Sequence, residues 1–288
     1  MPNETNFALV RIIGNDLEPR SKAGTSYEHL KYIIENEYPF ENCTKKFILN
    51  RIIDQEQLTK MRELLDLTPF EYIVINVDWD EYGKAKSQTD LFRSLTHINS
   101  VRNLCLDMFK DDYEVVMPFD GDCFFRLDGW MRFMSSVEEG NGYAIVQMGR
   151  CSESYPDLYS NKVQSWFETY RYGGKLIQAA TEPQIAFISK EYDLAYDESL
   201  DYSELARIDL LWSIGMRGVW DDMYHIKYLK TLLKRKSKYF GKSCQGGWCY
   251  RLPSGVPEAD LDNSVRAKLK DQAIRGLIEN ADRIYANQ

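Results

Sequence analysis

Apolar positions in this chain fall alternately into short continuous runs and into spacings of three and four, which predicts strands interleaved with amphipathic helices. Phe7-Ala8-Leu9-Val10-Arg11-Ile12-Ile13 reads as a buried strand that stops at the turn residues Gly14-Asn15-Asp16. Thr25 followed by Glu28 has the form of a capping box and predicts a helix through about Glu35. Lys46-Phe47-Ile48-Leu49-Asn50 predicts a second strand. Asp54 then caps a helix with Leu58, Met61, Leu64 and Leu65 on its inner face, and Tyr72-Ile73-Val74-Ile75-Asn76 predicts a third strand. A long helix is expected from Asp90, because Leu91, Leu95, Ile98, Val101, Leu104, Cys105 and Met108 share one face. It leads into the strand Val115 to Phe119. Beyond it the pattern predicts helices from Asp128 to Glu139, around Val163 to Tyr170, from Glu204 to Gly215 behind a Ser203 cap, and from Glu258 to Ile284. Strands are predicted at Tyr143 to Met148 and Pro183 to Ser189.

Alternation of this kind implies an α/β fold with a mostly parallel sheet covered by helices on both faces. Ligands of such sheets lie at the carboxyl ends of the strands. That rule places Gly14 to Asp16, Asn50 to Asp54, Asp78 and Asp120 to Asp122 along one rim.

Composition narrows the class. With 288 residues, 44% hydrophobic and 13% aromatic, the chain can bury a sizeable core. A net charge of -8 opposes a nucleic-acid surface over the whole molecule, since phosphate backbones reward Lys and Arg. No apolar run approaches the roughly 20 residues of a membrane span, and Met1 to Asn6 lacks a basic segment followed by an apolar one, so a cytoplasmic protein is expected. Six Cys without a CxxC pair, beside three His, argue against structural zinc. Residues 227 to 242 carry seven basic side chains (Lys227, Lys230, Lys234, Arg235, Lys236, Lys238, Lys242). These suit a solvated face, a phosphate-bearing ligand or peripheral contact with an anionic membrane. The change of character there suggests a division into residues 1–226 and a helical, basic C-terminal extension, 227–288.

The candidate chemistry gathers at Asp120-Gly121-Asp122, two carboxylates delivered by a buried strand. They can offer oxygen ligands to Mg²⁺ or Mn²⁺, with Gly121 letting a phosphate approach the backbone, or they can form an Asp-Gly turn capped by the second Asp. The context is more specific. Asn99-Ser100-Val101-Arg102-Asn103-Leu104, then Asp112 through Val115-Val116-Met117-Pro118-Phe119 and Asp120-Gly121-Asp122, resembles the middle of nucleotide-sugar glycosyltransferases of the GT-A fold. So do Phe187 to Tyr192, Tyr196-Asp197-Glu198 and Glu204 through Asp209-Leu210, over about residues 7 to 226.

The resemblance implies a GT-A-like sheet and transfer of a sugar from a nucleoside-diphosphate sugar to a saccharide, lipid-linked or small-molecule acceptor, with inversion. It implies Mn²⁺ or Mg²⁺ at Asp120 and Asp122, with His225 as a third ligand or else a structural His. Donor contacts are expected at Asn50, Asp54 and Arg102, although Asp54 also suits a helix cap and Arg102 a brace for Asp120. Arg11, buried in an apolar strand, should meet either a donor phosphate or an internal acid. Trp248 and Arg251, in the Gly-rich stretch from Gly246, have the composition of a lid over diphosphate or of a surface loop. The family pattern expects Glu-Asp shortly before Asp209-Leu210, where Ala206 and Arg207 stand instead. Glu204, one helical turn earlier, is then the first candidate for the base, Asp209 the second and Asp201 the third. A nucleotidyltransferase is the rival enzyme, but the segment after the first strand holds one glycine, Gly14. A non-catalytic sugar-nucleotide-binding protein of the same fold is the other rival.

Overall fold

The computed structural model describes residues 5–137, 141–151, 155–156, 169–172, 176–179, 182–200, 207–218 and 235–288. The first half alternates as the apolar pattern requires. In order come β1 (Phe7–Ile13), α1 (Thr25–Asn36), β2 (Cys43–Asn50), α2 (Gln55–Asp66), β3 (Glu71–Ile75), α3 (Trp79–Lys84), α4 (Gln88–Thr96), α5 (Ile98–Phe109) and β4 (Val115–Asp120). There follow β5 (Cys123–Phe124), α6 (Leu127–Met134), β6 (Tyr143–Arg150), β7 (Thr169–Tyr172), β8 (Leu176–Ala179), β9 (Gln184–Ile188), α7 (Arg207–Ser213), β10 (Met216–Gly218) and β11 (Cys244–Arg251). Two helices close the chain, α8 (Pro257–Leu261) and α9 (Asn263–Tyr285).

The main sheet has eight strands in the order β3-β2-β1-β4-β9-β6-β11-β5, and β10, β8 and β7 form a small second sheet. β3, β2, β1 and β4 are mutually parallel, while β9 runs antiparallel between β4 and β6. Because β9 reverses direction against both neighbours, β6 regains the direction of β4, and β11 pairs with β6 in parallel. The carboxyl ends of β1, β2, β4, β6 and β11 therefore all point to one edge. This is the α/β, mostly parallel arrangement flanked by helices that the sequence led us to expect. The strand after the basic run, β11, belongs to the same sheet.

Both faces of β1 are covered, which explains its unbroken apolar run. Ala8, Val10 and Ile12 pack with Val101, Cys105 and Leu106 of α5 on one side. Phe7 and Leu9 pack with Trp130 and Phe133 of α6 on the other. At the far edge, Ile274, Leu277, Ile278 and Ala281 of α9 cover Ile53, Tyr82, Phe92 and Leu95, tying the C-terminal helix to the parallel half. Leu277→Ala should cost about 2–4 kcal/mol of stability, read by equilibrium urea unfolding. Among the described residues no helix is long and apolar enough to cross a membrane.

Several elements depart from the periodicity for local reasons. The long helix expected from Asp90 is two helices, because His97 takes a left-handed conformation (φ 40°) and its ring contacts Glu81 at 2.9 Å. The final helix is also divided, at Asp262, whose carboxylate caps α9 through the Ser264 amide. The Thr25 capping box does not form. Asp16, from the loop after β1, instead accepts from the amides of Gly24 and Ser26. The expected helix near Val163 to Tyr170 falls outside the described residues up to 168, and Thr169–Tyr172 is strand. The Gly-rich stretch is a strand rather than a lid. A Cβ on Gly246 would sit 2.3 Å from Ser136 Cβ, and one on Gly247 2.5 Å from Phe133 Cβ, so these glycines let β11 lie against α6.

Candidate functional site

The register of the parallel strands builds the rim. Ile12 pairs with Asp120 and Ile13 with Leu49, so β1, β2 and β4 end together. Asn15 bridges two of the exits, donating to the Arg51 carbonyl at 2.7 Å and accepting from the Ile53 amide at 2.8 Å. Asp16 also accepts from Gln57 Nε2 at 2.7 Å, which joins the β1 loop to α2. Gly121 is required on steric grounds, since a Cβ there would lie 2.7 Å from the Ile12 carbonyl oxygen. Its missing side chain makes room for β1 rather than for a phosphate. Gly121→Ala should push the two Asp apart and cost about 1–3 kcal/mol, visible as a lower melting temperature.

Asp120 is enclosed by donors. Its Oδ1 accepts from Arg102 Nη2 at 3.0 Å and from Arg207 Nη2 at 2.5 Å, and its Oδ2 accepts from Gln184 Nε2 at 3.1 Å. Burial opposes ionisation of this carboxyl, but the guanidiniums of Arg207, Arg102 and Arg251 overcome it and hold Asp120 well below the usual carboxylate range. Arg207 is tied on its other side to Glu182 at 3.2 Å. Asp122 faces a different cation: its Oδ2 accepts from Arg251 Nε at 2.7 Å. That contact outweighs burial and the repulsion of Asp120, and the Asp122 carboxyl is also lowered.

Arg251 arrives there because β11 ends on the same edge as β4. It pairs in register with Cys123 of β5 on one side and with Arg150 of β6 on the other. Arg150 and Arg266 both reach Asp260, at 3.3 and 3.5 Å. Arg20, Arg102, Arg251 and Arg266 line one cavity of about 200 Å³ together with Asp16, His29, Asp120 and Asp122. Burial and the neighbouring guanidiniums push Arg150 down to about 9 and Arg266 to about 10, and hold Arg20 well below its ordinary value. Arg251, by contrast, is held above its ordinary value because the carboxylates of Asp122 and Asp120 outweigh its burial, and Arg150 and Arg266 stay charged at neutral pH.

Asp120, Asp122 and Cys123 bring ligand atoms within 4.8 Å of one another, a grouping with metal-binding potential among the described residues. The donor set does not suit a cation held by both carboxylates. Both Asp120 oxygens already accept from Arg or Gln, and Asp122 Oδ2 accepts from Arg251. Burial raises the Cys123 thiol well above its ordinary range, so it is neutral at pH 7. Asp122 Oδ1, with a 3.7 Å contact to Cys123 Sγ, is the oxygen left over.

The remaining expected site residues divide clearly. Arg102 is in the cavity and braces Asp120. Arg11 is outside it: fully buried, it donates to Glu37 Oε1 at 2.5 Å and to the Cys123 carbonyl at 3.2 Å, the internal pairing of the two alternatives. Asn50 is spent on the Thr96 carbonyl and Arg51, and Asp54 caps α2 through the amides of Glu56 and Gln57. Asp209 is buried against Arg235 at 2.6 Å and does not line the cavity; burial raises its carboxyl despite that partner. Trp248 lies in β11, its carbonyl so close to Gly129 that a Cβ there would be 2.2 Å away. Glu204, Asp201 and His225 lie outside the described residues, as do Lys227, Lys230 and Lys234.

Sequence reasoning passed over Arg207, Gln184, Arg20 and Arg266. Arg207 had a signal, since it precedes the apolar Ile208, Leu210 and Leu211 and a buried Arg needs an acid. Arg266 sits on an ordinary amphipathic helix and had none.

No protein-family model and no curated protein matches the sequence. Among solved structures, the chain is similar to S. aureus TarS, residues 1-349, in complex with UDP, with a TM-score of 0.45 and 13% identity over 94% of this chain and 71% of that one. A second structure of S. aureus TarS 1-349 gives 0.41 and 13% over 94% and 69%. The longer S. aureus TarS chain gives 0.40 and 13% over 88% of this chain, and the alignment spans 38% of the TarS length.

Proposed function

We propose that this chain transfers a glycosyl group from a nucleoside-diphosphate sugar to an acceptor hydroxyl. The observation that supports the reading is the cavity at the ends of β1 and β4, walled by Asp120 and Asp122 and by four arginines. Phosphate ligands of α/β sheets lie at such strand ends, and Arg matches phosphate oxygens in pairs. The order of motifs around Asp120-Gly121-Asp122 narrows the class from a phosphate ligand to a sugar donor. In the transfer, the acceptor oxygen forms a bond to the anomeric carbon as the bond to the diphosphate oxygen breaks. The diphosphate leaves with the electron pair, and guanidiniums aimed at it stabilise the developing charge. The acceptor proton passes to a carboxylate base. For an inverting reaction we assign that role to Glu204, because Asp209 is held by Arg235 away from the cavity.

A panel of nucleoside-diphosphate sugars, followed by diphosphate release and by calorimetry, tests the reading. One donor should bind and be slowly hydrolysed without acceptor. Binding of none of them would refute it, whereas release of pyrophosphate from a nucleoside triphosphate and a sugar phosphate would move the chain to the rival nucleotidyltransferase class. Glu204→Gln should leave donor affinity within about twofold while transfer falls by roughly 10²–10⁴.

A further inference from the structure

We propose that the donor diphosphate is neutralised by a cluster of arginines, Arg20, Arg251 and Arg266, and that binding proceeds without a divalent cation. The inference rests on the nucleoside-diphosphate reading for the identity of the ligand but on separate observations for the means of holding it. Three segments far apart in sequence converge on one cavity: the loop after β1 with Arg20, the end of β11 with Arg251, and α9 with Arg266. Arg251 already pairs with Asp122 and Arg266 with Asp260, but across the cavity four arginines face the three carboxylates of Asp16, Asp120 and Asp122, so the lining carries a net positive charge that favours an anion.

The position a metal would take is already covered. Arg251 Nε sits 2.7 Å from Asp122 Oδ2, and Asp120 is divided among Arg102, Arg207 and Gln184. A cation added between the two carboxylates would face these guanidiniums as well as those of Arg20 and Arg266. A diphosphate added to the same cavity would face the opposite field. The acids nearby are already engaged, in part by these same arginines. Asp260 takes Arg150 and Arg266 while also accepting from the Ser254 amide at 2.7 Å, and Asp16 takes the Gly24 and Ser26 amides, the Ser26 hydroxyl and Gln57. The depressed basicity of Arg150 and Arg266 agrees with a site that an arriving anion relieves.

This arrangement gives α9 a direct part in donor binding. Arg266 has a side chain only 12% exposed, and it reaches the cavity from the helix whose later turns cover Tyr82 and Leu95. The C-terminal helix therefore supplies both a structural seam and one of the phosphate contacts.

The test is calorimetric titration of the full chain with inorganic pyrophosphate in excess EDTA, repeated with Mn²⁺ and with the variants Arg266→Met, Arg266→Lys and Arg251→Met. Saturable binding in EDTA is expected, weakening as salt rises. Arg266→Met should weaken it by roughly tenfold or more, since a charge-assisted pair is lost, and Arg266→Lys should recover part of that. Arg266→Met removes one of the two arginines that meet the buried Asp260 and leaves Arg150 there, so the melting temperature should fall slightly at most. A structural role alone would lower it further and leave pyrophosphate affinity unchanged. Binding that requires Mn²⁺, or that is indifferent to Arg266→Met, overturns the proposal. Pyrophosphate binding without turnover of any sugar donor would leave the anion site standing and remove the glycosyl-transfer reading. Transfer strictly dependent on Mn²⁺ would do the reverse.

Discussion

Glu37→Leu is expected to destabilise the protein by about 3–5 kcal/mol, because it leaves a buried charge without its partner. Glu37 Oε1 accepts from Arg11 Nη2 at 2.5 Å and from the Phe125 amide at 2.8 Å, while Oε2 lies 3.0 Å from Lys45 Nζ. Neither Arg11 nor Glu37 has an exposed side chain atom to spare: both side chains are 0% exposed. Truncating the acid therefore strands a guanidinium under the sheet, with Phe119 ring contact at 5.5 Å as its main compensation on that side. Equilibrium urea unfolding measures the loss. Adding Arg11→Met to Glu37→Leu should recover most of it, since a buried pair replaced as a whole by apolar groups is often neutral. A loss below about 1 kcal/mol in the single variant would mean that water reaches Arg11 and that the pair is not what holds α1 against β5.

Asp120→Asn carries the second large effect, and it falls on the site. The change leaves Arg102 and Arg207, both nearly buried, facing a neutral amide. A stability loss of about 3 kcal/mol or more is expected, together with a fall in transfer of at least roughly 10²-fold as the floor of the cavity shifts. The pH dependence provides an independent reading. The folded carboxyls of Asp120 and Asp122 are depressed below their unfolded values, so their contribution to stability is complete above about pH 4 and is lost as pH falls through the folded values. Thermal melts of the wild type between about pH 4 and pH 2 should therefore steepen, and Asp120→Asn should flatten that part of the profile. Equal slopes in the two proteins would show that Asp120 titrates alike in the folded and unfolded chains.

Local chemistry was legible where it depends on neighbours in sequence. The apolar run of β1 needs cover on both faces and has it. Asp54 precedes an amphipathic helix and caps it through two amides. The rim that includes Gly14 to Asp16 and Asp120 to Asp122 followed from the strand-end rule, and parallel pairing of β1 with β4 delivers it. Asp16 shows the boundary of such reasoning. Thr25 and Glu28 look like a capping box, yet the cap comes from nine residues before Thr25, because the loop after β1 folds back to meet α1.

The sequence by itself determined the alternation of strands and helices, the edge at which the parallel strands end and the presence there of two carboxylates. These are properties of periodicity and of residue type, and they survive any rearrangement of distant parts. Only the tertiary structure decided what those carboxylates touch. Arg207 and Arg251 lie 87 and 129 residues from the Asp each one meets, so no spacing rule could pair them. The antiparallel β9, by turning β6 and β11 back to the direction of β4, placed Arg251 at Asp122, and the packing of α9 placed Arg266 beside it. Asp120-Gly121-Asp122 reads in isolation as a place for a metal; the fold surrounds the same carboxylates with the guanidiniums of Arg102, Arg207 and Arg251.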